Sequence, residues 1–300
     1  MKNQMRATEP WLIGLTICYL LAQSTSTRSP LAIDESIKFR LTFIQVGNGD
    51  STLIQDGQGF DVLIDGGKEE AGPIVLDSLR QNGVDDLEIV VATHAAPDHV
   101  GGLTYVLNAE NPPVERIYFN GIPRDNETWH EFAQAVEDEG LALETVTYPQ
   151  TFAWGPATAY ILNPDPNIEY IDEDQASIVI MLVYAQMKWL LTADIDSVVE
   201  ADLAKRGAPL QAPILKVPHH GHETGTSAAF LEAVQPQHAI LSVGDNQLGR
   251  PDAGVLQRLV DSGARLWRTD MHGTVVVTSD GTSYQIFNTR TLLPVLLRFP

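Results

Sequence analysis

Two imidazoles and a carboxylate fall within six positions in Thr93-His94-Ala95-Ala96-Pro97-Asp98-His99-Val100-Gly101-Gly102, directly after the apolar run Leu87 to Ala92. Histidine and aspartate are ligands for hard or borderline divalent cations, and a loop leaving a buried strand lets such side chains converge on one ion. Three of the eight histidines cluster in His219-His220-Gly221-His222, at the end of a second apolar stretch, Ile214 to Pro218. A third stretch, Leu190-Leu191-Thr192-Ala193-Asp194, delivers a carboxylate to its own C-terminal end. Three separate strand ends thus carry metal-competent side chains. With Cys18 as the sole cysteine, an ion here would be held by histidines and carboxylates.

The elements that must position these groups alternate short β-type runs with amphipathic helical stretches. Ile37, Phe39, Leu41 and Phe43 share one face of a period-2 strand, followed by the turn Gly47-Asn48-Gly49-Asp50 and by strands over Ser51 to Gln55 and Val62 to Ile64. Asp65-Gly66-Gly67 closes the third strand; its glycines, like Gly47 and Gly49, read first as turn residues and second as places of close packing. The spacing predicts a helix over 69–82 ending at Gly83, a strand over Leu87 to Ala92, and a helix-like stretch from Thr128 to Glu139 carrying His130 on its surface. Strands at 176–184, 188–192, 213–217, 238–242 and 274–278, with helices at 196–206, 227–235 and 252–262, complete the pattern. Two sheet-rich halves with helices outside suit an αββα four-layer sandwich, but periodicity alone supports only an α/β or α+β chain, and the motifs must decide.

Composition narrows the function. The 300 residues are 44% hydrophobic and carry a net charge of −20, so the field of the whole molecule repels polyanions and disfavours non-specific nucleic-acid binding. Lys2 and Arg6 precede the uncharged run Trp11 to Ala22, and Gln23 to Ser29 is polar; residues 1–24 therefore read as a signal peptide cleaved after Ser24, or as a retained membrane anchor. The expected product is extracytoplasmic or secreted. Residues 25–36 form a linker and 37–290 one domain, and the apolar tail 291–300, too short to span a bilayer, is expected to pack on the domain or a partner.

Taken together, FIQVGNGDSTLI from Phe43, LIDGG from Leu63, the His94 to Gly102 loop, Thr192-Ala193-Asp194 and KVPHHG from Lys216 resemble the metallo-β-lactamase fold. Within it they are similar to the branch that includes the extracytoplasmic domain of ComEC-like DNA-uptake competence proteins. Ser242-Val243-Gly244, Arg250-Pro251 and Arg268-Thr269-Asp270 stand where that branch has its closing motifs, so the resemblance spans about residues 37–287. It implies a dinuclear site. Carried over, His94, Asp98 and His99 match the loop ligands, Asp194 the bridging carboxylate, and His219 or His220 the late histidine; Asp50 and Asp65 match carboxylates that orient histidine ligands.

The loop's middle ligand is missing, because Ala96 stands in its place. One ion (zinc or manganese) should therefore be held firmly by Asp98, His99, Asp194 and one of His219 and His220, with the other position weak or empty. His222 replaces a serine and Arg250 a histidine of the branch pattern. Arg250 could clamp a phosphate or carboxylate oxygen, and His222 could ligate or face water. The expected activity is metal-dependent hydrolysis of a phosphodiester or other ester through a metal-activated water, with Asp98 or the bridging Asp194 orienting or deprotonating the water and His220 serving the leaving oxygen if His219 is the ligand, or the reverse. A catalytically silent member that binds a ligand or partner is the alternative, on the strength of Ala96.

Overall fold

A computed structural model describes residues 39–244 and 248–297, with side chains through Arg290. The leader and linker read over 1–36 lie outside the described residues. Among the described residues, no helix is long and apolar enough to cross a membrane.

Among the described residues, sixteen strands form two mixed sheets. The first contains β1 (Phe39–Phe43), β2 (Thr52–Gln55), β3 (Asp61–Ile64), β4 (Ile89–Ala92), β5 (Ile117–Phe119), β6 (Leu143–Thr145), β14 (Val275–Ser279), β15 (Tyr284–Asn288) and β16 (Thr291–Leu297). Its order is β16-β15-β14-β1-β2-β3-β4-β5-β6, antiparallel up to β3 and parallel beyond it. The second contains β7 (Thr151–Trp154), β8 (Ala157–Asn163), β9 (Val179–Tyr184), β10 (Met187–Leu191), β11 (Ile214–Lys216), β12 (His238–Leu241) and β13 (Arg265–Arg268). It runs in the order β13-β12-β11-β10-β9-β8-β7, parallel from β10 to β13 and antiparallel elsewhere.

Side-chain alternation along these strands builds three cores. Phe39, Leu41 and Phe43 of β1 and Ile54 of β2 pack with Ile180, Leu182, Trp189 and Ile240 between the sheets. The opposite face of the first sheet, with Leu53, Leu63 and Val90, is covered by helices α1 (Gly72–Gln81), α2 (Pro97–Leu107) and α3 (Glu127–Asp138). The outer face of the second, with Val179, Leu190 and Leu215, is covered by α4 (Ser197–Lys205), α5 (Ala228–Val234) and α6 (Ala253–Asp261). The result is the four-layer αββα sandwich. Each buried aliphatic or aromatic side chain contributes about 1.5–3 kcal/mol, so the inter-sheet core holds the two halves in fixed relation.

Several elements differ from the sequence reading. The helix over 69–82 is a 3-10 turn, Glu69–Ala71, running into α1. Strands β5 to β8, β13 and β15 are absent from the sequence reading, and the apolar tail continues as β16, whose backbone pairs antiparallel with β15. Gly66 is a site of close approach rather than a turn residue: a Cβ there would lie 2.5 Å from the Leu103 nitrogen, and one on Gly102 would run into the Gly66 carbonyl. Glycine at both positions lets the start of α2 lie directly against the loop after β3.

Candidate metal centre

The parallel strands of both sheets end at one place. Asp65 follows β3, Thr93 and His94 follow β4, and Asp98 and His99 occupy the first turn of α2. From the second sheet, Asp194 follows β10, and His219 and His220 follow β11. His94, His99, His220 and Asp194 are all but sealed from solvent. Four of the seven described non-glycine residues with positive φ lie here: Asp65 (57°), Ala193 (46°), His219 (50°) and His220 (53°). Each left-handed residue costs about 1–2 kcal/mol, a strain that concentrates where side chains must be aimed.

The hydrogen bonds settle where the imidazole protons sit. Asp65 accepts from the Thr93 amide (2.9 Å), the Thr93 hydroxyl (2.8 Å) and His99 Nδ1 (2.7 Å). A carboxylate only accepts, so His99 carries its proton on Nδ1 and presents a lone pair at Nε2. Having given its hydroxyl proton to Asp65, Thr93 must accept from His94 Nδ1 (3.1 Å), which leaves the His94 Nε2 lone pair free. His220 Nδ1 donates to the Ser242 carbonyl (3.0 Å), with the same consequence at its Nε2. Three imidazoles are thus fixed in the tautomer that turns Nε2 lone pairs inward.

What those lone pairs face is carboxylate. His99 Nε2 lies 3.3 Å from Asp194 Oδ2, and His220 Nε2 lies 3.5 Å from Asp194 Oδ2 and 3.6 Å from Asp98 Oδ2. His94 Nε2 lies 3.3 Å from Asp174 Oδ1. His219 Nε2 is 3.6 Å from Asp194 Oδ2 and 3.8 Å from Asp174 Oδ2. Acceptors facing acceptors repel unless a cation lies between them. Ligand atoms about 2.0–2.1 Å from a tetrahedral zinc are separated by ~3.4 Å, and the facing atoms here lie 3.3–3.8 Å apart. The Nε2 atoms of His94, His99 and His220 and Asp194 Oδ1 are buried without a hydrogen-bond partner among the described residues, a cost of about 1–3 kcal/mol each that ligation removes. The buried His/Asp clusters therefore fit a divalent cation, with a nitrogen and oxygen donor set of the kind zinc takes.

Without an ion between them, the same carboxylates favour a proton on the facing imidazole, which a bound cation would displace. Burial opposes charge on His99, but the Asp194 and Asp65 carboxylates outweigh it and hold its pKa well above the usual histidine range. Burial likewise opposes charge on Asp194, and His220 and His99 outweigh it, holding that carboxyl well below its ordinary value. Asp50 is matched by Lys216, whose Nζ sits 2.7 Å from Asp50 Oδ2, and this offsets the burial that would raise the Asp50 pKa. Its other oxygen is 3.5 Å from His220 Nδ1. Asp50 and Asp65 are thus occupied with Lys216, Thr93 and His99, and brace the centre from behind.

The flanking residues separate by role. His222 is stacked on His219 (ring centroids 4.8 Å apart) and its Nδ1 is 2.8 Å from the Thr224 hydroxyl. Arg250 comes close enough that its charge adds to burial in lowering the His219 pKa. His130 is exposed on α3, paired with Asp125. Ala96 is the N-cap of α2. Two participants escaped the sequence reading. Lys216 was visible as a lone cation in an apolar strand, a position that demands a buried counterion. Asp174, in the turn between β8 and β9, lies in the acidic stretch Glu169 to Asp174, whose composition reads as a solvated loop.

The chain is 28% identical over 254 residues to ComE operon protein 3 of Bacillus subtilis, a match covering 77% of this chain and 32% of that protein. It is 28% identical over 268 residues to competence protein ComA of Neisseria gonorrhoeae, covering 89% and 35%. It thus spans about a third of the length of these curated relatives. Among solved structures, the metallo-beta-lactamase fold protein YhfI of Bacillus subtilis superposes with a TM-score of 0.54 at 11% identity, covering 81% of this chain and all of that one. Tm1679, a metal-dependent hydrolase of the beta-lactamase superfamily, gives 0.53 at 13% identity, covering 80% and 100%. The family model of the metallo-beta-lactamase superfamily matches residues 44–245, and the chain belongs to that superfamily.

Proposed function

We propose that this chain is an exported metal-dependent hydrolase that cleaves a phosphodiester or another ester with an activated water. The observation that carries the reading is the convergence of fixed Nε2 lone pairs and the Asp194 carboxylate on one buried point. A divalent ion, zinc or manganese, held there by Asp98, His99, His220 and Asp194 supplies Lewis acidity and a nucleophilic water at neutral pH. Asp98 is the most accessible of the four, its side chain 20% exposed, so it is the carboxylate best placed to take up a proton from the water. The Asn48 amide donates to Asp98 Oδ2 (3.4 Å) and steadies it. Asp65 and the Ser242 carbonyl keep His99 and His220 in the ligating tautomer. Arg250 and His222, beside His219, are the donors that meet substrate oxygens at the open side, a guanidinium offering a planar fork suited to phosphate or carboxylate.

The test is metal analysis of the purified mature chain together with turnover of bis(p-nitrophenyl) phosphate in added zinc or manganese. Bound metal and turnover, with Asp98→Asn lowering the rate by about 10²-fold or more, is the expected result. A chain that takes up no metal and turns over nothing is a silent binder, and the reading falls.

A further inference from the structure

The structure assigns Lys216 the part of a positioning residue: through its ion pair with Asp50 it fixes the strand that carries His219 and His220 against the loop that carries Asp98. The inference rests on the metal reading above and goes beyond it by naming what sets the spacing between ligands drawn from the two sheets. Lys216 ends β11 and is buried, with Nζ 2.7 Å from Asp50 Oδ2 and donating to the Val217 carbonyl at 3.0 Å. Asp50 is itself held by the first sheet. Its amide donates to the Asp98 carbonyl (3.2 Å), and its carbonyl accepts from the Gly67 amide (2.7 Å). Gly49 allows that approach, since a Cβ there would stand 2.5 Å from the Asp98 carbonyl oxygen. The main chain of Lys216 adds a further tie, because its carbonyl accepts from the hydroxyl of Thr192 (2.7 Å), two residues before Asp194. The segments bearing Asp98, Asp194, His219 and His220 thus meet at one residue.

Close packing does not account for the pair. A cavity of about 20 Å³ borders Lys216 and Asp50 together with Thr52, Asp65 and Thr93, so on that side the ammonium keeps its place through charge and hydrogen bonds. Stability does not account for it either, since a buried ion pair is often no more stabilising than apolar side chains of similar volume. What the pair supplies and an apolar pair lacks is direction. The direction matters at His220. Asp50 Oδ1 is buried without a hydrogen-bond partner among the described residues and lies 3.5 Å from His220 Nδ1, whose proton goes to the Ser242 carbonyl at 3.0 Å. Lys216 draws the carboxylate through its other oxygen and keeps it from capturing that proton, so the imidazole holds Nε2 on the centre. Without the ammonium, Asp50 is an unpaired anion with His220 Nδ1 as a donor within reach, and the ring loses its aim.

Lys216→Met, Asp50→Leu and the double variant test the assignment, each compared with wild type by zinc competition against a chromophoric chelator and by thermal unfolding in excess chelator. The single variants leave a buried charge unpaired and should melt well below wild type, whereas the double variant removes both charges and should recover most of that loss. Zinc affinity should behave differently, staying about 10–100-fold below wild type in the double variant, as expected when a residue that orients ligands from behind is lost. Cobalt substitution adds a spectroscopic signature: the ligand-field bands of the double variant should move in wavelength, which a change in stability alone does not produce. A double variant that binds zinc within twofold of wild type, or whose cobalt bands are unmoved, reduces the pair to charge neutralisation and overturns the inference while leaving the hydrolase reading standing. A wild-type chain that binds no zinc overturns both.

Discussion

Asp65→Asn isolates what the orienting carboxylate does, because the substitution keeps size and shape while removing one acceptor. Asparagine tolerates the left-handed backbone at φ 57° about as readily as aspartate, so the fold is not the variable. The carboxylate receives three donors, the Thr93 amide on one oxygen and the Thr93 hydroxyl and His99 Nδ1 on the other. An amide can satisfy only one side. If its oxygen faces His99, its NH2 confronts the Thr93 amide, and a buried donor without an acceptor costs about 1–3 kcal/mol of stability. If the amide is flipped, its NH2 confronts His99 Nδ1, pushing the proton to Nε2 and removing that ligand. The first arrangement is the cheaper, and it leaves His99 backed by a neutral acceptor instead of a carboxylate. Loss of such support weakens metal affinity by about 10–100-fold, or ~1.4–2.7 kcal/mol. The assay is zinc competition against a chromophoric chelator, with thermal unfolding in excess chelator run in parallel. A zinc affinity within twofold of wild type, despite a lowered melting temperature in chelator, would refute the reasoning.

Three further outcomes test other parts of the fold. Gly102→Ala places a methyl against the Gly66 carbonyl, a backbone atom that cannot swing away. It should destabilise by at least about 1–3 kcal/mol and lower zinc affinity, and a variant with wild-type melting and wild-type zinc binding would show that α2 need not lie so close to the β3 loop. The Asp61 pKa is pushed up to about 7, by burial first and then by Glu88, Asp56 and Asp85, against the Gln55 amide. Its ionised form is therefore a penalty that is complete above pH 7 and gone below the ordinary value of 3.8. Asp61→Asn should raise stability at pH 8 by on the order of 1–2 kcal/mol after solvent screening and loss of the Arg40 counter-charge, with the gain shrinking at pH 5.5; a gain equal at both pH values would contradict this. His238 is pushed down to about 4 by burial and by Arg265, and accepts a hydrogen bond from Trp267 Nε1 (2.9 Å). It supports the fold fully above pH 6.5, and that support, on the order of 2 kcal/mol, is lost as pH falls from 6.5 toward 4. In His238→Asn the difference in unfolding free energy between pH 7.5 and 5 should narrow by about that amount, as followed by denaturant titration.

The legible parts of the centre share a cause. His94, Asp98, His99, Asp194, His219 and His220 each follow an apolar run that could only be a buried strand, so their place at a strand end could be read from local pattern. Asp174 follows no such run and sits among acidic neighbours, where composition alone points to a solvated loop. The divergent orientation of the His219 and His220 rings is equally hidden. It depends on two consecutive left-handed residues, and no propensity rule leads a reader to expect that of histidine. Strand order was out of reach for another reason: β1 pairs with β14, more than 230 residues away, and such a pairing is decided by packing between sheets. Short strands with exposed positions, such as β6 and β7, lack the alternation that would reveal them.

Because ligands come from both sheets, the centre exists only while the inter-sheet core is intact. Asp65, His94, Asp98 and His99 belong to the first sheet and its helix, whereas Asp174, Asp194, His219 and His220 belong to the second. The carboxylates and imidazoles of both halves converge there, and a shared cation, displacing the proton that the carboxylates favour on His99, would tie the halves together. Ion binding is then linked to global stability, adding about 2.7 kcal/mol when free zinc is at 100 times its dissociation constant. The left-handed strain at Asp65, Ala193, His219 and His220 is of similar size per residue, so a cation offsets much of the cost the polypeptide meets in aiming its ligands.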